Sequence, residues 1–294
     1  MSGTGDQRCN GAPAAKGVRR APFTWEVGTS YRLETAENFE RDIEAMAVSG
    51  IRYVELAWRN EVFDMSDPAK ELFCDTVIRR ARACGLDVWS IHLPYGTSWD
   101  VSNPDKAERE EAVRRHARLL ELAGRWNIRT AVLHPSWEPI ADAERRERLA
   151  ACKRSLAELA AAAVRNRIRL AAECLPRTCL GNTSGEMALL AAASVDLGVC
   201  CDVNHLVQEP PEAFIRKLGS RIVTLHMSDN DGTDEKHWMP GAGVIDWIQV
   251  LGELAGAGYE GPFMFEVRQY EPRELMDCWR QLLVDCARAW GTDS

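Results

Sequence analysis

Eight short runs rich in β-branched and other apolar residues alternate with long amphipathic stretches from about residue 25 to the end of this 294-residue chain. The runs are FTWEVGTS near 25, IRYVELAW at 51, LDVWSIHL at 86, IRTAVLHP at 128, IRLAAECL at 168, DLGVCCDV at 196, RIVTLHMS at 221 and PFMFEVRQ at 262. Between them lie predicted helices such as TAENFERDIEAMAVSG, DPAKELFCDTVIRRARACG, DAERRERLAACKRSLAELAAAAVRN and DWIQVLGELAGAGY. Several open on Thr or Asp, whose side chains accept from free helix N–H groups, and several close on Gly or Asn. Strands that alternate with helices pair in parallel. Eight such units at roughly 35-residue spacing fit one closed (β/α)8 barrel of ordinary size. A doubly wound open sheet is the rival, but no G-x-G-x-x-G follows an early strand to support dinucleotide binding.

The barrel is expected over residues 23–294, preceded by a disordered tail over 1–22 that is small, polar and mildly basic with no apolar period. Apolar residues at 46% and charged residues at 27% suit a soluble globular core. A net charge of -8 argues against nucleic acid as a partner, because binding a polyanion requires a basic surface. No run of about 18 apolar residues is present to span a membrane. The ten cysteines form no C-x-x-C pair, and Cys74, Cys84, Cys152, Cys278 and Cys286 fall in helical stretches. They read as reduced core thiols, with a cytoplasmic location expected.

A barrel gives the chemistry-bearing residues one location, since the carboxyl ends of all strands converge on one face. Five of the six histidines (His92, His134, His205, His226, His237) fall where an apolar run ends, and only His116 lies on a helix face. Glu173, Asp202, His226 and Glu266 close the fifth to eighth strands. A strand buried on both faces is continuously hydrophobic until its last residue meets solvent, so a lone carboxylate or imidazole there is poorly explained by packing. Taken singly, Glu173 could cap a helix and Asp202 with His205 could form a local hydrogen bond. Taken together, three carboxylates and an imidazole suit one divalent ion, Mn2+ first, with Mg2+, Co2+ or Zn2+ as other candidates.

The chain resembles the xylose-isomerase-like TIM barrel superfamily of sugar phosphate isomerases and epimerases. The resemblance rests on CDVNH, with its Asp-x-x-His spacing, and on LHMSDNDG followed by DEKHWMPGAGVIDW, which is similar to an H-x-x-D-x-D-G and H-x-x-P-G-x-G-x-I-D-W signature. It implies that Glu173, Asp202, His226 and Glu266 bind one catalytic ion, and that Glu173 and Glu266 flank a substrate and exchange its proton. Such chemistry has a physical basis, because a carbon acid beside a carbonyl yields to a carboxylate only when the enediolate is stabilised. His92, His134, His205, His237, Arg268, Trp58 and Trp137 are expected around a sugar, keto-sugar or cyclitol. Trp99 and Trp238 also fall in predicted loops after strands.

Two other chemistries use the same constellation. A lyase or dehydratase acting on a keto-inositol or 3-keto-glycoside passes through the same enolate and expels a leaving group. The superfamily also resembles, in one branch, zinc-dependent apurinic-site endonucleases, whose three zinc ions sit on strand-end residues in places comparable to His92, His134, His205, His237 and Glu235. One departure weakens the ketose-epimerase likeness: Gly232 stands six residues after His226, where some ketose epimerases carry Arg. A homo-oligomer is implied by resemblance alone.

Overall fold

The computed structural model describes residues 24–33, 36–58 and 68–291, so the expected tail over 1–22 lies outside the described residues. Eight parallel strands form the barrel wall: β1 (Val27–Leu33), β2 (Tyr53–Trp58), β3 (Asp87–His92), β4 (Thr130–Leu133), β5 (Arg169–Glu173), β6 (Gly198–Asp202), β7 (Ile222–His226) and β10 (Phe263–Phe265). They pair in chain order, and β10 returns to β1 through Val27 opposite Phe263. The last seam, between β7 and β10, is made by Met227 opposite Phe265, where Met227 N–H donates to the Met264 carbonyl at 2.9 Å. Two short antiparallel strands, β8 (Asp229–Asn230) and β9 (Glu235–Trp238), form a hairpin over the mouth.

The helices α1 (Ala36–Ser49), α2 (Pro68–Ala83), α3 (Lys106–Arg125), α4 (Asp142–Arg165), α5 (Ser184–Ala191), α6 (Pro211–Leu218), α7 (Trp247–Gly256) and α8 (Pro272–Trp290) surround the wall. The expected Asp cap holds at Asp246, whose side chain accepts from Gln249 N–H ahead of α7. It fails at α4, where Asp142 is already helical and Ala141 precedes it without a side-chain cap. The carboxylate still favours the positive end of the helix dipole from inside the first turn. The apolar faces of the helices bury Phe39, Ile43, Phe214 and Leu251 against the outer face of the strands, each such side chain contributing about 1.5–3 kcal/mol. Among the described residues, no helix is long and apolar enough to cross a membrane.

Two irregularities in the wall set what points inward. Between β2 and β3 the register jumps from Val54 opposite Val88 to Glu55 opposite Ser90, which leaves Trp89 as an extra residue. Between β6 and β7 it jumps from Val199 opposite Ile222 to Cys200 opposite Thr224, with Val223 as the extra residue. Because side chains alternate along a strand, a one-residue slip exchanges the two faces. The first slip aligns Ser90 with Glu55, and the second aligns His226 with Asp202. Trp89 Nε1 donates to Thr224 Oγ1 at 3.1 Å, linking the two irregular strands through the barrel interior.

The nine cysteines within the described residues are free, and Cys74, Cys152 and Cys286 are buried as core thiols should be. Cys84 and Cys278 are only partly buried. Trp99 is also buried, against His116 on α3, and so takes no part in the mouth.

Candidate metal centre

Glu173, the last residue of β5, is buried at the middle of the mouth. Its Oε1 lies 3.1 Å from His226 Nδ1, and its Oε2 lies 3.1 Å from both His92 Nε2 and His134 Nε2. Asp202 ends β6 and Glu266 follows β10. One ligand atom from each of Glu173, Asp202, His226 and Glu266 falls within 4.8 Å of all the others. Two further groups of the same kind flank this one: His92 with His134 and Glu173, and His205 with Glu235 and His237.

The donor set fits a divalent cation. Asp202 Oδ2 and Glu266 Oε2 are buried and accept no hydrogen bond, which is costly for a carboxylate unless a positive charge completes it. The imidazoles are turned to suit. His226 Nε2 lies 2.8 Å from Glu55 Oε1, and a carboxylate can only accept, so the proton sits on Nε2 and the Nδ1 lone pair faces the acids. His92 Nδ1 donates to the Leu93 carbonyl at 2.9 Å, His205 Nδ1 to the Cys174 carbonyl at 3.0 Å and His237 Nδ1 to the Glu266 carbonyl at 3.1 Å. These contacts fix the ring orientations, the way outer partners hold a ligating histidine, and turn Nε2 of His92 toward Glu173 and Nε2 of His205 toward Glu235.

The electrostatics follow from burial and crowding. Burial alone would raise the Glu173 carboxyl, but the neighbouring His134 and His226 hold it well below the usual carboxylate range. Burial pushes Glu266 and Asp202 up, and the Glu173 carboxylate nearby pushes both further. Burial would depress His226 and His205, yet the surrounding acids raise both well above an ordinary imidazole. His134 and His237 are lowered, mainly by burial.

Three of the expected surrounding residues adjoin the centre directly. His92 and His134 touch Glu173, and His205 Nδ1 lies 3.1 Å from Asp202 Oδ2 while its Nε2 meets Glu235 Oε2 at 2.8 Å. His237 sits in the hairpin strand β9, not at the end of a barrel strand, and still reaches Glu266. Trp137 stacks at 5.7 Å on Tyr95, which itself stacks at 4.3 Å on His134, so the two rings form an aromatic wall beside the mouth. Arg268 lies beyond the centre, lining a cavity of about 700 Å³ with Trp238, Met239 and Val267. Trp58 is the last residue of β2, and its side chain lies outside the described residues.

The hairpin is placed by residues whose role is not evident from sequence. Asn204 Oδ1 accepts from the N–H groups of Lys236 and His237 at 2.9 and 3.2 Å. Asp229, an acid after an apolar run, is no ligand: its oxygens accept from the N–H groups of Asn230, Gly241 and Ile245 and from Trp247 Nε1. This explains the P-G-x-G-x-I-D-W spacing, because a Cβ on Gly243 would stand 2.1 Å from the Asn230 carbonyl oxygen and 2.4 Å from Asp229 Oδ1. Glu55 was missed as well. It is mid-strand, and its signal is a lone acid inside the apolar run IRYVELAW.

Three comparisons bear on the family. Over 92 residues the chain is 31% identical to fructoselysine 3-epimerase of Shigella flexneri, covering 29% of this chain and 33% of that protein. Such aligned segments span only about a third of the length of the curated relatives they match. Among solved structures it is similar to L-ribulose 3-epimerase (TM-score 0.75, 17% identity, 91% of this chain and 97% of that one). It is also similar to a D-tagatose 3-epimerase-like protein (TM-score 0.71, 21% identity, 90% and 99%). At these identities the structural likeness speaks for the fold. A family model described as xylose isomerase-like TIM barrel matches residues 43–282, which is most of the chain, and the protein belongs to that family.

Proposed function

We propose that this protein is a divalent-metal-dependent isomerase or epimerase of a sugar, keto-sugar or cyclitol, working by proton transfer through an enediolate. One observation carries the reading: Glu173, Asp202, His226 and Glu266 converge within 4.8 Å, with two of their buried oxygens accepting no hydrogen bond. When bound, the ion, Mn2+ by preference for this donor set, supplies Lewis-acid stabilisation of enediolate charge. Asp202 and His226 anchor, the latter aligned by Glu55. Glu173 and Glu266 approach from strands on opposite sides of His226, its Nδ1 being 3.1 Å from the first and 3.3 Å from the second. One takes a proton from the carbon beside the carbonyl, and the other returns a proton to the same or the adjacent carbon. His92, His134, His205 and His237 supply polar contacts for substrate hydroxyls, with Arg268 farther out. Tyr95 and Trp137 offer an apolar wall that keeps water from the reacting face.

The names of the three relatives support this reading, since two are called 3-epimerases and one 3-epimerase-like. Expulsion of a leaving group from the same enolate, as in a dehydratase acting on a keto-inositol or 3-keto-glycoside, needs only one further acid near the leaving oxygen. The two flanking groups favour a second reading, zinc-dependent phosphodiester cleavage of the apurinic-site endonuclease kind. Together with the central group they could hold three ions. Against it stands the net charge of -8, which gives no footprint for a polyanion. Elemental analysis of protein purified without chelator or nickel affinity separates the readings. About one divalent ion per chain supports the isomerase, and close to three zinc ions would bring phosphodiester cleavage forward.

A further inference from the structure

The three candidate cation groups differ in one respect. Glu173, Asp202 and Glu266 form ion pairs only with histidines among the described residues. Glu235 is shared: its Oε2 meets His205 Nε2 at 2.8 Å, and its Oε1 lies 3.3 Å from Arg177 Nη1. We propose that Arg177 sets how many cations the mouth retains, by holding the one carboxylate that the His205, Glu235 and His237 group would offer an ion. The inference rests on the reading of these groups as cation sites.

Arg177 is built to stay in place. Its Nε and Nη2 donate to Glu138 Oε1 at 2.8 and 2.5 Å, and its Nη1 donates to Asp234 Oδ1 at 2.8 Å. Its carbonyl accepts from Asn182 Nδ2 at 2.7 Å and Gln208 Nε2 at 3.0 Å, and its backbone takes a left-handed φ of 50°. The loops after β4 and β5 and the β8–β9 hairpin are thus tied together by one guanidinium. That charge is permanent, because an arginine does not deprotonate in a protein. An ion drawn between Glu235 and His205 would stand beside it, and like charges at such separations repel even where solvent partly screens them. Among the described residues, the central group has no cationic side chain against its carboxylates other than imidazole, which can surrender its proton to make room for a metal. Arg177 therefore favours a low metal count and biases the mouth away from three-ion chemistry.

The test titrates metal-free wild type, Arg177→Gln and Arg177→Lys with zinc by calorimetry, and locates bound zinc by anomalous scattering from crystals. Arg177→Gln should take one more zinc per chain than wild type at the same free zinc, placed on His205, Glu235 and His237. The affinity of that ion should rise roughly tenfold or more, with the central ion unchanged. Arg177→Lys keeps the charge and should behave as wild type. Equal or weaker binding of the extra ion in Arg177→Gln would overturn the inference. Should that variant fail to fold, Glu138→Gln frees Arg177 to lean on Glu235 and should weaken the extra ion; no change there would overturn it equally. A central group that takes no ion in wild type would instead defeat the reading under Proposed function, so the two failures are distinguishable.

Discussion

His226 on β7 and Glu55 on β2 meet at 2.8 Å in the middle of the barrel, both buried, and this contact turns the imidazole so that Nδ1 faces Glu173, Asp202 and Glu266. Ser90 Oγ donates to the other Glu55 oxygen at 2.7 Å, so the carboxylate is itself held. Glu55→Gln should weaken divalent-ion affinity by about 10–100-fold, as loss of an outer carboxylate partner does, while leaving the fold intact. Calorimetric metal titration with circular dichroism checks this; unchanged affinity would mean that the His226 orientation is fixed by other contacts.

Glu173 contributes to two of the candidate cation groups and touches four histidines. Glu173→Gln should abolish turnover without unfolding the barrel. Activity within about tenfold of wild type would remove Glu173 from the proton path.

Gly243 has no room for a side chain, because both atoms it would meet, the Asn230 carbonyl and Asp229 Oδ1, are held by other hydrogen bonds. Gly243→Ala should cost about 1–3 kcal/mol and loosen the hairpin that carries Glu235 and His237. Thermal unfolding and proteolysis near residues 229–245 would report it; wild-type behaviour in both would show that the loop relaxes freely.

His116 is buried on α3, with Nε2 donating to the Trp99 carbonyl at 3.1 Å and Nδ1 without a partner. Burial lowers its pKa to about 4, although the bond to Trp99 works the other way. An unfolded chain holds the same imidazole near 6.5, so between those values the unfolded state binds more protons. Stability linked to His116 is therefore present above about 6.5 and is lost as pH falls toward 4, by about 3 kcal/mol at the limit. Denaturant titrations of wild type and His116→Phe at pH 7 and pH 4.5 should show a smaller pH dependence in the variant. Identical pH dependence would exclude His116 as the source.

The eight-unit alternation was legible because buried parallel strands and amphipathic helices leave opposite patterns, and the strand ends marked Glu173, Asp202 and His226 directly. Glu55 stands mid-strand, where a reading of strand ends does not look, and its partners are not legible, since Ser90 faces it only because Trp89 is an extra residue in β3 and His226 reaches it from across the barrel. Asp229 looks the same in sequence as Asp202, an acid after an apolar run; only the four donors around it show that it orders a loop. His237 joins the mouth through a hairpin held by Asn204, a contact between segments more than 30 residues apart. Arg177 gave no sequence signal, because its partners Glu138 and Asp234 come from loops whose approach depends on the closed barrel.

The most direct measurement of the central claim is deuterium uptake from D2O into a panel of ketoses, keto-inositols and sugars linked to amino acids, followed by mass spectrometry with chelated and Mn2+-restored protein. Carbon-bound deuterium should appear in at least one substrate, require the restored ion and vanish in Glu173→Gln. No uptake into any member by metal-loaded protein, together with metal-dependent cleavage of an abasic duplex, would contradict the account.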